Sequence, residues 1–219
     1  MMPAPGHIFC KMYCMFIKTI NMKKLSVVVA CAAIMGIQAC NDNSPDAIRS
    51  ANETNEIKQD SAEHNNDSSK TMIAPVSEAD SKFAVEAAGG GMLEVQLGEL
   101  AQQKASSQRV KDFGAMMVRD HTKANDDLKS LAGMKNITLP SSPGKNQLDH
   151  IQNLSKKSGR AFDKDYMKMM VDDHKEDIDA FEKASRDASD ADVKAFASNT
   201  LPVLRVHLDS AQAVLSSVK

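Results

Sequence analysis

Two stretches of nine residues, Phe113-Gly-Ala-Met-Met-Val-Arg-Asp-His121 and Tyr166-Met-Lys-Met-Met-Val-Asp-Asp-His174, are near copies of each other. Each begins with an aromatic residue, continues through Met-Met-Val and ends with Asp-His. Around both stretches, apolar residues recur at spacings of three and four, which is the period of an amphipathic helix. Two similar helices that each carry a histidine at the same internal position suggest two halves of one site.

The same helical period extends over most of the chain after residue 78. It predicts long helices over residues 79–105, 108–132, 161–187 and 190–217. The long connection between the second and third helices contains Pro140 and Pro143, and the apolar residues of 148–154 predict a short helix inside it. Short turns on either side of one long connection are typical of a four-helix bundle. The predicted fold is therefore all-α: an antiparallel four-helix bundle with a short extra helix in the long connection.

Each predicted long helix places one polar residue inside its apolar stripe, namely Glu94, His121, His174 and His207. Counted from the turns at about 1.5 Å per residue, the four residues lie within about two turns of one level. A buried carboxylate has to be paired, bound to a metal or neutralised. Three imidazoles and one carboxylate suit a divalent transition metal, so these four residues are predicted to bind one ion of zinc, iron or copper.

Four further residues flank this predicted site. Met117 and Met170 lie one turn before the repeated histidines, so each is either an additional ligand or a core residue. Asp120 and Asp173 directly precede the same histidines and point about 100° around the helix. This position suits either partners that orient a ligand or residues with partners at the surface, rather than metal ligands themselves.

Other functions are compatible with the same residues. The four polar side chains could instead form a hydrogen-bond network that fixes helix register in a structural or interaction module of the cell envelope, with no metal. The Met-rich centre could also hold a small apolar ligand. The sequence specifies no substrate and contains neither a nucleophile elbow nor a phosphate-binding glycine loop, so a non-enzymatic role is favoured.

The N-terminal region is typical of an exported protein. Met22-Lys23-Lys24 precedes an apolar run over residues 25–37, as in an export signal. Ile37-Gln-Ala-Cys40 then resembles a bacterial lipobox, which predicts a lipid anchor on Cys40 and a periplasm-facing position on the outer membrane of a Gram-negative bacterium. Simple cleavage before Cys40 and an uncleaved anchor are the alternatives. Residues 1–21 are predicted to be an over-called start, with Met22 as the initiator.

Composition divides the chain into three regions. Residues 1–40 form the signal region, residues 41–76 are polar and are predicted to be a disordered tether, and residues 77–219 form the bundle domain. All four cysteines precede residue 41, so the domain has neither a disulfide nor a thiolate metal site. The net charge of −2 gives no electrostatic argument for a nucleic-acid partner, so the predicted partner is the membrane, and no protein partner is specified.

Several stretches between residues 80 and 217 match a known pattern: Phe83-Ala-Val-Glu-Ala-Ala, Glu94-Val-Gln-Leu-Gly-Glu-Leu-Ala, Met117-Val-Arg-Asp-His-Thr and Leu201-Pro-Val-Leu-Arg-Val-His-Leu. In these stretches the chain resembles the bacterial exported family known as domain of unknown function 4142. That family is often labelled "predicted outer membrane protein" and is grouped with ferritin-like bundles. The resemblance implies an exported helical bundle and little about activity.

The ferritin-like comparison has a chemical limit. Di-iron bundles use a glutamate three residues before each of two ligand histidines. Here Val118, Val171 and Leu204 stand three residues before the histidines, so the bridging carboxylates are missing. A mononuclear site, or no metal, fits this sequence better than a di-iron centre.

Overall fold

The computed structural model describes residues 45–64 and 75–218, and within them the protein has six helices and no strand. The helices are α1 (Ala47–His64), α2 (Glu78–Lys104), α3 (Gln108–Met134), α4 (Lys145–Ser155), α5 (Gly159–Asp187) and α6 (Ala191–Ser217). The predicted all-α class, four long helices and short connecting helix are confirmed, with ends that differ by one or two residues. The predicted export signal, Cys40 and the predicted start at Met22 lie outside the described residues.

The four long helices contact one another in a closed cycle. α2 packs against α3 and α5, and α6 packs against the same two helices. Neighbouring helices run in opposite directions: on α2 and α3, for example, Gly98 lies beside Gly114 and Gly91 lies beside Asn125. One hydrophobic cluster, with Phe113 in it, lies toward the α2–α3 turn, and two others lie toward the α5–α6 turn.

The backbones of α2 and α3 approach closely where two glycines face each other. A Cβ at Gly98 would lie 2.6 Å from the carbonyl oxygen of Gly114, and a Cβ at Gly114 would lie 2.7 Å from that of Gly98. Only glycine permits two backbones to come this close. Because Gly98 is one turn beyond Glu94, this crossing fixes the register of α2 and α3 near the level of the predicted site.

A buried carboxylate stabilises the turn at each end of the long helices. Asp163 on α5 accepts hydrogen bonds from the backbone N–H groups of residues 106–107, between α2 and α3. Asp80 on α2 accepts hydrogen bonds from the N–H groups of residues 189–190, between α5 and α6. The helix pair α2–α3 and the helix pair α5–α6 therefore each supply a carboxylate that accepts from the unpaired N–H groups at the turn of the other pair. The negative charge of each carboxylate also interacts favourably with the dipole of the helix that begins at that turn.

The structure corrects one part of the disordered tether predicted over residues 41–76, because α1 occupies Ala47–His64 and packs against α2, while residues 41–44 and 65–74 lie outside the described residues. A few residues make this contact. Ala51 and Asn55 are buried, and the Ile48 side chain lies so close to Gly89 that a side chain there would clash with it. The Asn55 side chain also forms two hydrogen bonds with the backbone of Thr138. Composition missed the helix because a few well-placed contacts offset the ordering entropy of a polar segment.

None of the helices in residues 45–64 and 75–218 combines the length and the apolar character that crossing a membrane requires.

We expect the substitution Asn55→Ala to release α1 from the rest of the domain. It removes both bonds to Thr138, at 2.9 Å to the carbonyl oxygen and 2.7 Å from the N–H, and leaves these half-buried backbone groups without the side-chain partner. The cost should be about 1–3 kcal/mol in local stability. Amide hydrogen exchange should then accelerate across α1 and not across α5. The matched control is Ile57→Ala, since Ile57 is 65% exposed on the same helix. Equal protection of α1 in both variants would contradict this account of the docking.

Candidate metal centre

Three of the predicted ligands converge in the structure. His121 on α3, His174 on α5 and His207 on α6 are all buried, and each offers a ligand nitrogen within 4.8 Å of the other two. Within the described residues this is the one such group of metal-binding side chains. The apolar stripes turn three different helices toward each other, and the matching depth along each helix brings the imidazoles into one layer.

The hydrogen bonds of His174 and His207 decide which of their nitrogens face each other. The Nδ1–H of His174 donates to the carbonyl oxygen of Met170 over 2.9 Å. The Nε2–H of His207 donates to a carboxylate oxygen of Asp120 over 3.1 Å. Neither acceptor can donate in return, so both of these nitrogens carry hydrogens. In the neutral rings, the His174 Nε2 and the His207 Nδ1 therefore present lone pairs to each other at 3.3 Å.

Two facing lone pairs repel each other unless a cation lies between them. Zinc binds imidazole nitrogens at about 2.0–2.1 Å, so two such ligands at a tetrahedral angle are about 3.3 Å apart. The observed separation of 3.3 Å between His174 Nε2 and His207 Nδ1 matches this value. The buried Nε2 of His121 also has no hydrogen-bond partner, which leaves it free to bind the same ion.

Burial keeps all three imidazoles neutral near pH 7. It lowers the pKa of His121 to about 3, with further effects of the other two histidines. Burial and the nearby His207 lower the pKa of His174 to about 4. Burial lowers the pKa of His207 as well, although Asp120 opposes the shift. A proton is thus a poor candidate for the cation between the rings, and neutral imidazole is the form that binds metals.

The two repeated aspartates have different surroundings. Asp120 bonds to His207 on the neighbouring helix, and its own neighbour Arg119 contacts both of its carboxylate oxygens at 2.8 and 2.9 Å. Burial would raise the pKa of Asp120, but the bonds from Arg119 and His207 outweigh it and lower the pKa. Asp120 thus holds the Nε2–H of His207, and a role behind a metal ligand stays a prediction.

Asp173 instead lines a surface groove beside α4, together with His150. Burial raises its pKa to about 6, and one of its carboxylate oxygens has no hydrogen-bond partner. The two Asp-His pairs are therefore alike in their histidines and differ in their aspartates: Asp120 contacts a site histidine and Asp173 contacts the surface groove, and both positions are among those predicted.

The predicted ligand Glu94 stands apart from the group of three. Its Oε1 lies 3.6 Å from the Nδ1 of His174, the nitrogen on the far side of the ring from His207. Both of its carboxylate oxygens are buried without a hydrogen-bond partner, as is the hydroxyl of Tyr166. Burial raises the pKa of Glu94 well above its ordinary range, and Asp177 and Asp173 add to the shift. Glu94 thus lies at the predicted level, but it is behind the His174 ring rather than among the imidazole nitrogens that face one another.

The side of the histidine layer that faces the α2–α3 turn is closely packed. Met117 and Met170, one turn before their histidines, are fully buried in the hydrophobic cluster there, and so is Ala211, one turn after His207. This is the core position allowed for both methionines. Ligation by their sulfur atoms stays a prediction.

The other side of the layer contains a cavity of about 20 Å³, which has room for one or two water molecules. His121 lines this cavity, together with Asn125 on α3 and Asp177 on α5. Both polar residues were missed in the sequence, although each lies one turn after a site histidine and so shares its face. Gly91 makes space for Asn125, because a Cβ at Gly91 would lie 2.0 Å from the amide oxygen.

Residues 65–214 match the model of a family described as a domain of unknown function (DUF4142). This match covers more than half of the chain, so the protein belongs to that family, in agreement with the resemblance of its sequence motifs. The match includes all three histidines and leaves out α1. Comparisons with curated proteins and with solved structures give no match.

The ionised Asp177 carboxylate should destabilise the apo protein. Burial first, and then Asp173 and Glu176, raise its pKa to about 7 from an ordinary value of 3.8. The folded state therefore holds a proton that the unfolded state has lost, and stability falls as the pH rises from about 4 to 7. We therefore expect Asp177→Asn to raise the free energy of unfolding relative to the wild type, and to do so by roughly 1–2 kcal/mol more at pH 8 than at pH 5.

Urea unfolding in the presence of a chelator would measure this difference. The exposed Asp179, on the same helix, provides the control variant Asp179→Asn. An equal effect of Asp177→Asn at both pH values would show that its carboxyl titrates alike in the folded and unfolded chains.

Proposed function

We propose that this protein is a metal-binding helical protein of the cell envelope, in which His121, His174 and His207 hold one transition-metal ion. The observation that carries the proposal is the 3.3 Å separation between two imidazole nitrogens whose hydrogen-bond partners leave both with lone pairs. The third imidazole supplies another nitrogen without a partner. Metal handling or protection against metal stress is the role that such a site suits.

The proposed architecture is the antiparallel four-helix bundle of the ferritin-like kind. Its support is the closed cycle of contacts among α2, α3, α5 and α6, each antiparallel to its neighbours. In such bundles, metal ligands project inward at one level from facing helices. The donor set here, three neutral nitrogens with no bridging carboxylate, favours a single ion of zinc, iron or copper.

The proposed location is the periplasmic face of the outer membrane, through a lipid on Cys40. Its support is the sequence alone: the lysine pair, the apolar run over residues 25–37 and the lipobox-like residues that end at Cys40. The membrane is then the partner of the lipid anchor, and the domain faces the periplasm, where it meets metal ions before the cytoplasm does.

A metal-free polar network is the alternative, and the unpaired atoms argue against it. Such a network stabilises a core only when all of its members are satisfied. Here the Nε2 of His121 is buried without a partner, and the lone pairs of the other two rings face each other at 3.3 Å. A metal ion would satisfy His121 and relieve the repulsion between the other two rings, whereas the network alone leaves these groups uncompensated.

We expect the purified full chain to hold about one transition-metal ion per molecule, measured by elemental mass spectrometry after preparation without chelator. His121→Ala and His174→Ala should each lose most of this metal, because a tetrahedral site cannot keep its affinity with two imidazoles. The matched control is His150→Ala, which removes an exposed histidine on α4 and should leave the metal content unchanged.

Circular dichroism would show whether the variants remain helical. A wild-type protein that takes up none of zinc, iron or copper when each is offered would overturn the proposal. Equal metal in the His174→Ala and wild-type proteins would place the ion elsewhere.

We expect Asp120→Asn to weaken metal binding without abolishing it. The carboxylate holds the Nε2–H of His207, and loss of such an orienting partner costs about 10–100-fold in metal affinity. Asp173→Asn alters the same position of the other repeat, which contacts a surface groove rather than a ligand, and should change the affinity much less. Competition with a chromogenic chelator would measure both Kd values. Similar losses in the two variants would contradict the asymmetric roles of the aspartates.

A further inference from the structure

The proposed metal site has one position that no protein group in the ligand set fills. Three imidazoles supply three ligands, and a tetrahedral ion takes a fourth. Glu94 is the nearest carboxylate to His174, but its Oε1 contacts the Nδ1, which already donates to the Met170 carbonyl. Its place behind the ring separates it from the nitrogens that face one another. The fourth ligand therefore has to come from one of the two sides of the histidine layer.

The packed side offers no room for an external ligand. Three side chains fill that side, each one turn from a site histidine. They are Met117, Met170 and Ala211, and all three are fully buried in the same hydrophobic cluster. Beyond them Tyr166 and Phe113 make an edge-to-face contact with ring centres 6.1 Å apart.

The opposite side contains the cavity, and its lining shows that it adjoins the layer. His121 itself lines the cavity. Asp177 lies three residues after His174, and Leu204 lies three residues before His207, so the cavity reaches one turn from each of the other two ligands. Asn125 and Asp177 make part of its wall polar, and polar walls favour a water-filled cavity over an empty one.

We propose that the fourth coordination position opens into this cavity and accepts an exchangeable ligand no larger than about three atoms, such as water, hydroxide, dioxygen or azide. The inference rests on the proposed metal site and adds the class of ligand that it takes. The limit comes from size: a cavity of about 20 Å³ admits one or two water-sized groups beyond the atom on the metal. A ring such as imidazole is too large to enter.

The test uses the full chain loaded with Co(II), whose visible spectrum reports its ligands. The metal content is measured before any addition, and azide or imidazole is then titrated at one fixed pH. Azide should displace the bound water and change the spectrum at saturation. Imidazole at the same concentrations should leave the spectrum unchanged.

Two variants with small added side chains test the role of the cavity. Ala124→Val adds two carbons to a residue of the cavity wall and should weaken azide binding at least tenfold while Co(II) is retained. Gly90→Ala is the matched control on α2: it lies outside the cavity, and its new Cβ would make only an ordinary contact of 3.9 Å with the Asp177 carboxylate. This variant should bind azide like the wild type.

The outcomes separate the two proposals. A wild-type chain that binds no Co(II) overturns the metal site, and this inference with it. If the chain binds Co(II) and azide does not change the spectrum, the inference alone is overturned. A protein group such as Glu94 or a methionine sulfur then fills the fourth position. Equal responses to azide and imidazole, or azide binding unaffected by Ala124→Val, would place the exchangeable ligand outside this cavity.

Discussion

The rest of the site depends on the contact between the Nε2 of His174 and the Nδ1 of His207. The other nitrogen of each ring is committed as a donor, to the Met170 carbonyl and to Asp120, so two lone pairs face each other at 3.3 Å in a place that excludes bulk water. Burial disfavours a proton between them. A metal ion of the proposed kind would relieve this repulsion, and the three helices that carry the histidines have to stay in register to keep the nitrogens at this distance.

The surrounding fold supplies that register through close and specific contacts. The crossing at Gly98 and Gly114 fixes α2 against α3, and the buried carboxylates of Asp80 and Asp163 connect each helical hairpin to the turn of the other. The histidine layer thus lies between a packed core and a small cavity. This arrangement gives the proposed ion one accessible side, which connects the packing of the core directly to the chemistry that the site can perform.

The repeated Asp-His pairs show how far sequence patterns extend toward a site. The helical period placed both histidines on inward faces at one depth, and the structure brings them together with His207. The same pattern could not distinguish the two aspartates, since each lies off the inward face and meets whatever helix is adjacent. Asp120 contacts α6 and accepts a hydrogen bond from His207, whereas Asp173 lines the groove beside α4. Their different roles come from their neighbours.

The all-helical class, the extents of the long helices and the depth of the polar residues follow from local sequence, because the helical period and the rise per residue are properties of the local chain. Three features arise only in the folded molecule: Glu94 lies behind His174, the polar segment that forms α1 docks on α2, and a cavity borders one side of the histidines. These features depend on side-chain direction and on close packing between distant segments. Local periodicity contains no information about either.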